Sequence, residues 1–277
     1  MTLKETMSRI HEANMELLLE MDRVCRKHGI PYYLLGGALI GTLRGGDLIP
    51  WDDDVDVLLF REDYERFVRV CPQALGEKFR FLDFTTFSEF FDFIPKIANI
   101  SVTYATTAFG DDDFYGRRYN HPTLDLFILD HRPKAFGRHT LRMRLIYLMA
   151  MGHRKTIHYA QYRGIYKAAA FLGAAVGKCV SMQTIARWYE NAQKCRDEGN
   201  GAYYLSNDMI EPGLWGFLYR EEWFAGKREE CLRGIPFPVP FDTEAILTMQ
   251  YGDFMQLPPE DKRVPQHVMT IVEDGNT

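Results

Sequence analysis

Four aspartates fall within five positions in the segment IPWDDDVDVLL, Ile49 to Leu59: Asp52, Asp53, Asp54 and Asp56. An apolar strand follows directly. Side chains alternate along a strand, so Asp52, Asp54 and Asp56 are expected on one face, with Asp53 and Val55 on the other. Like charges this close repel and raise each other's pKa unless a cation sits between them. Hard oxygen ligands suit a hard divalent ion, so the expected cofactor is Mg²⁺ or Mn²⁺. An acidic run by itself also reads as a solvated turn, and Asp111-Asp112-Asp113, among Gly and Phe, reads as that. Other features favour metal chemistry at Ile49–Leu59. Upstream, Leu34-Leu35-Gly36-Gly37 ends a strand in two glycines, which let backbone N–H groups approach a phosphate. Downstream, Asp125 sits inside the apolar run TLDLFIL, where a carboxylate is costly unless it is paired or bound to metal. Lys96, in FIPKIANI, is an isolated cation in an apolar strand, able to reach a diphosphate or to pair with an acid.

These residues need elements to hold them. Apolar residues from Met7 to Cys25 recur at three- and four-residue steps, predicting a helix that ends at Gly29 and Pro31. Strands are expected at Tyr32–Leu35, Asp54–Phe60, Phe79–Phe84, Lys96–Tyr104 and Thr123–Leu129. Helices are expected at Ala38–Leu43 and Glu62–Val70. From about 134 to 200 the pattern is helical. Beyond it come a short run at Tyr203–Leu205, an aromatic stretch at Trp215–Trp223, a turn-rich IPFPVP and a helix at Thr243–Tyr251. Strands and helices alternate at both ends around an all-helical middle. This predicts an α/β (α+β) catalytic unit, one domain over 1–277 with a helical insertion at 134–200.

With 46% hydrophobic and 14% aromatic residues, the chain can bury a core, which excludes disorder. Five cysteines are too sparse for a disulfide scaffold and read as free thiols in a reducing compartment. The N-terminus is charged throughout and lacks a secretory apolar region. The longest apolar run, Ala168–Gly177, is about half of what a membrane span needs. The expectation is a cytoplasmic protein, peripheral at the inner face of the membrane, with no nucleic-acid partner. The net charge of −5 is a sum of opposites. Residues 131–200 hold 13 Lys and Arg against 3 Asp and Glu; the remainder holds 20 against 35. The basic stretch reads as a helical face solvated by charge, or as a surface meeting anionic lipid or a lipid-linked glycan.

The glycine turn, the Asp-x-Asp pair and the later single aspartate together resemble the nucleotidyltransferase-fold pattern. The run LLGGALIGTLRGGDLIPWDDDVDVLLFREDYERF resembles the signature of the LicD family more closely, through the Gly-Gly pair, Gly41, Arg44, the Ile-Pro-Trp-Asp-Asp-Asp core and the closing Asp-Tyr-x-x-Phe. LDLFILD resembles that family's third-aspartate strand, and YGDFMQLPPEDKR, Tyr251 to Arg263, its closing motif. The resemblance implies a nucleotidyltransferase-like mixed β-sheet flanked by helices. It implies transfer of phosphocholine from CDP-choline, or of ribitol phosphate from CDP-ribitol as in the fukutin group, to a glycan hydroxyl, with CMP leaving. On that reading Asp54, Asp56 and Asp125 hold the metal and carry catalysis. Gly36, Gly37, Arg44, Asp53 and Lys96 contact substrate, Arg44 through bidentate contacts to phosphate. A choline donor would need an aromatic cage. The densest aromatic region, Tyr203 to Trp223, reads mainly as core packing. Two alternatives stay open: a nucleotidyltransferase moving NMP to a small molecule or glycan, and a non-catalytic binding module on the same fold.

Overall fold

The computed structural model describes residues 2–87, 90, 93–107, 120–132, 138–154, 157, 159, 162–194, 203–206, 218–265 and 268–271. Helix α1, Leu3–His28, opens on a capping box between Thr2 and Glu5 and closes at Gly29 in the left-handed conformation, φ 60°. Its apolar stripe, including Ile10, Leu17, Met21 and Val24, is buried. Strand β1, Tyr33–Leu35, runs straight into helix α2, Gly36–Arg44. Strand β2, Val55–Phe60, is followed without a loop by α3, Arg61–Ala74. Strands β3, Phe79–Leu82, and β4, Lys96–Asn99, precede β5, Tyr104–Thr107, and the long β6, Thr123–Arg132.

The central sheet has the order β1-β2-β6-β4-β3, with β7, Tyr203–Ser206, pairing the far end of β6, and β8, Tyr219–Arg220, pairing β7. Among the described residues only β2 and β6 run parallel in this sheet; the other pairs are antiparallel, so the sheet is mixed as expected. Alternate residues build two cores. Val55, Val57, Leu59, Leu124 and Leu126 pack with residues of α1 and α3. Leu35, Leu58 and Leu129 pack on the opposite face with Tyr219 and with Ile246 of α7, Thr243–Tyr251.

Two expectations are corrected. The strand expected at Lys96–Tyr104 is two strands in two sheets, β4 in the central one and β5 paired with β11, Val268–Ile271. Asn99 breaks the run: its Oδ1 accepts from the backbone N–H and hydroxyl of Ser101, and its amide donates to Glu16. That side-chain bonding competes with a strand ladder. The second correction concerns IPFPVP, which is strand β10, Ile235–Val239, paired with β9, Arg228–Leu232. Pro236 and Pro238 sit two apart, so both missing N–H groups fall on the outer edge, where a ladder needs none.

The helical stretch holds α4, Arg138–Ala150, α5, Ile165–Gly177, and α6, Met182–Gln193. Glycines let α5 lie against the α4 segment. A Cβ on Gly173 would stand 2.7 Å from Leu148 Cβ, and one on Gly177 would stand 1.8 Å from the Met149 carbonyl oxygen. Helix α6 is tied to the sheet by Gln193, which donates to the Ile128 carbonyl, and to α3 by the ion pair of Lys194 with Glu65. Of the described cysteines, Cys25 and Cys71 are buried, and burial pushes the Cys71 thiol up to about 12. Cys179 and Cys231 are exposed free thiols.

Candidate functional site

Strand register assembles the site. Asp56 on β2 pairs across to Asp125 on β6, and Asp125 pairs across to Lys96 on β4. On the other side Asp56 pairs with Leu35, the last residue before Gly36. A single row across four strands therefore carries the glycine turn, two carboxylates and an ammonium, although these residues span positions 35 to 125. Both ends of the acidic run follow the expected alternation. Asp53 is only 2% exposed and turned into the protein, whereas Asp52, Asp54 and Asp56 keep partial access to solvent.

Lys96 pairs with Asp125. The ammonium contacts Asp125 Oδ2 directly, with side chains 8% and 14% exposed. Thr123 donates to the other oxygen of Asp125 at 3.1 Å. The carboxylates around Asp56 act on it together. Burial, then the charges of Asp54, Asp125 and Asp52, hold the Asp56 carboxyl well above the ordinary range, and Lys96 offsets only part of this. Gly36 and Gly37 make the crowding feasible. A Cβ on Gly36 would stand 2.5 Å from Asp56 Oδ2, and one on Gly37 would stand 1.5 Å from Asp52 Oδ2. The glycines thus leave room for the carboxylates. Gly36 also adopts φ 60°, a conformation that favours glycine.

The all-oxygen donor set and the crowding of carboxylates that raises the Asp56 pKa fit a hard divalent cation. Among the described residues, no three His, Cys, Asp or Glu side chains form a closed ligand set.

Several supporting residues lie outside the acidic motif, and two of them, His11 and Tyr104, were not expected to matter. His11 of α1 is buried, and its Nε2–H donates to the Asp52 carbonyl at 2.9 Å across 41 positions of chain. Because a carbonyl only accepts, the proton sits on Nε2, and burial holds the imidazole pKa below its ordinary value. The signal in the sequence is a polar residue on the apolar stripe of α1, four positions after Met7. Tyr104 is buried near the same carboxylates: desolvation, followed by the charges of Asp53, Asp54 and Asp125, raises its phenol pKa. Arg44, expected at a phosphate, donates from its guanidinium to the Phe254 carbonyl. Its Nε is buried without a hydrogen-bond partner among the described residues. Arg263 lies over the Trp51 ring, 5.7 Å from its centroid, immediately before Asp52. The two sequence motifs at opposite ends of the chain therefore meet at the acidic loop.

In the C-terminal aromatic region, Tyr219 and Trp223 enter the core with Tyr33, Phe60 and Phe224. Tyr203 and Tyr204 lie on β7. Trp215, Phe217, His267 and Asp111-Asp112-Asp113 lie outside the described residues.

Residues 29–141 match the family model described as LicD/FKTN/FKRP, nucleotidyltransferase domain. Over 255 residues, 88% of this chain and 89% of the relative, the chain is 28% identical to lipopolysaccharide cholinephosphotransferase LicD of Haemophilus influenzae. A 48-residue stretch, 17% of this chain and 9% of the relative, is 54% identical to ribitol 5-phosphate transferase FKRP of Mus musculus and of Homo sapiens.

Proposed function

From a chain whose residues 29–141 carry a LicD-type nucleotidyltransferase domain, we propose a metal-dependent phosphotransferase. It moves phosphocholine, or a similar alcohol phosphate, from a CDP-alcohol to a hydroxyl of a cell-surface glycan and releases CMP. The observation that carries this reading is the row Lys96–Asp125–Asp56–Leu35, which sets a glycine turn beside carboxylates of two strands. Similarity to a cholinephosphotransferase along most of the chain supports the choice of transferred group. The FKRP stretch keeps ribitol phosphate open as the alternative group.

Phosphoryl transfer is mainly positioning and charge neutralisation, because the protein has little covalent chemistry to do. Asp54, Asp56 and Asp125 would hold Mg²⁺ or Mn²⁺. Such an ion supplies neutralisation of the donor diphosphate and of charge on the leaving CMP. Gly36 and Gly37 bring backbone N–H groups to phosphate oxygens at the start of α2. Lys96 holds Asp125 and keeps a positive charge at the base of the site. Asp125, or the carboxylate least committed to the ion, accepts the proton of the attacking hydroxyl. Arg44 and Arg263 supply guanidinium groups at its edge. His11 fixes the Asp52 carbonyl and with it the path of the acidic loop. The acceptor is a glycan hydroxyl, on a lipid-linked chain if the protein works at a membrane.

Product analysis tests the reading. With CDP-choline, CTP or ATP offered separately, CMP release from CDP-choline is expected. Pyrophosphate release from CTP or ATP would overturn it in favour of nucleotidyl transfer. CDP-ribitol in parallel identifies the alcohol.

A further inference from the structure

Helix α5 presents its apolar residues in an unusual direction. It buries Ala170, Ala174 and Gly177, small residues that pack beside the α4 segment, and turns its large side chains outward. Ile165 is 81% exposed, Tyr166 67%, Phe171 61%, Leu172 63% and Val176 54%. Folded proteins rarely leave so contiguous an apolar face in water. On neighbouring α4, Leu141 and Leu145 are also half exposed. Arg163, Lys167 and Lys178 are exposed at the ends of the α5 face and along it.

The charge of this part of the chain says what covers the face. Residues 131–189 contain eleven Lys and Arg and no Asp or Glu, in a chain whose net charge is −5. A second copy would bring the same cationic rim against itself, and like-charge juxtaposition opposes that contact. An anionic lipid surface accepts both components, the apolar side chains below the headgroups and the cations among them. At 13 residues α5 is about 20 Å long, against about 30 Å of bilayer hydrocarbon. Among the described residues no helix is long and apolar enough to cross a membrane. A helix of this kind lies in the plane of the interface, and its lysines extend their ammonium groups to the headgroups.

We propose that the outer face of α5 seats this protein on an anionic lipid bilayer, with Phe171 and Leu172 below the headgroups and Arg163, Lys167 and Lys178 among them. The proposal rests on surface composition and does not depend on the reaction assigned to the carboxylates.

Co-sedimentation of the full chain with vesicles tests it, using phosphatidylcholine alone and phosphatidylcholine mixed with phosphatidylglycerol. Binding to the mixed vesicles is expected to exceed binding to neutral ones by about tenfold or more at low salt, and to weaken as salt rises. Phe171→Ser with Leu172→Ser should lower binding by about tenfold or more at unchanged Tm, since both residues are exposed. Lys167→Gln with Lys178→Gln should lower binding to the mixed vesicles and leave binding to neutral ones unchanged. No binding to mixed vesicles at low salt would overturn the proposal, as would undiminished binding of the Phe171→Ser, Leu172→Ser variant. A concentration-dependent dimer in sedimentation velocity, broken by that variant, would also overturn it. None of these readouts uses turnover, so failure here is separable from failure of the phosphotransfer reading.

Discussion

Strand β6 carries two aspartates five positions apart, hence on opposite faces, and each is paired with a cation. Asp130 meets Arg61 in a bidentate fork, at 3.0 and 2.7 Å, with side chains 7% and 13% exposed. The pair extends to Glu190 of α6, which Lys194 shares with Glu65 of α3. Opposite signs alternate along this chain of contacts, which joins the sheet to the helical stretch. Asp125 meets Lys96, but its neighbours across the sheet are further carboxylates. There Asp54, Asp125 and Asp52 all raise the Asp56 pKa and Lys96 lowers it. Burial and ion pairing are common to both places; alternation of sign is not. Alternating charges hold elements together, whereas carboxylates crowded against one another are suited to receive a cation.

The comparison can be broken most readily by activity. Asp54→Asn should lower CMP release by about a thousandfold or more, in line with losing a preorganised electrostatic contact, without lowering Tm. Arg61→Met and Lys96→Met come next. Each leaves a buried carboxylate uncompensated and should cost about 3–5 kcal/mol of stability. The two should differ in turnover per folded molecule, unchanged in Arg61→Met and strongly reduced in Lys96→Met. Equal turnover in the two variants would erase the distinction between the pairs.

A smaller effect runs in the opposite direction. Because the Asp56 pKa is raised, the folded state keeps this proton to higher pH than the unfolded chain does. Without a divalent cation, stability should therefore fall as pH rises above the ordinary carboxylate range towards the raised Asp56 value. Asp56→Asn should remove that loss and raise the neutral-pH Tm by about 2–4 °C in EDTA, read by a thermal melt. The smallest effect concerns His11, whose pKa is depressed in the fold. Its contribution is complete above the ordinary histidine value of 6.5 and is lost as pH falls through the depressed folded value. His11→Gln should flatten this acid-side slope in melts from pH 5 to 8.

Much of the site was legible because its signals are local. Asp54, Asp56 and Gly36-Gly37 are placed by strand alternation and a turn, and Asp125 stood out as a charge in an apolar run. The partner of Asp125 was not legible. Lys96 reaches it only because β4 lies next to β6, an order in which β5, next along the chain after β4, leaves the central sheet. His11 escaped for a related reason, since its bond spans 41 positions. The split of Lys96–Tyr104 turned on one asparagine whose side chain bonded locally, and hydrophobic periodicity does not register such a bond. For IPFPVP, proline content suggested turns, but its alternate spacing is compatible with a strand edge. The basic character of 131–200 was plain from composition, whereas the outward face of α5 required knowing that its small residues are the buried ones.

The most direct measurement is CMP release from CDP-choline with a glycan acceptor, in Mg²⁺ and in EDTA, for the wild type and Asp125→Asn. The account predicts CMP without pyrophosphate, turnover that disappears in EDTA and returns with Mg²⁺, and loss of turnover in a folded Asp125→Asn protein. Turnover that persists in EDTA, or an active Asp125→Asn variant, would contradict it.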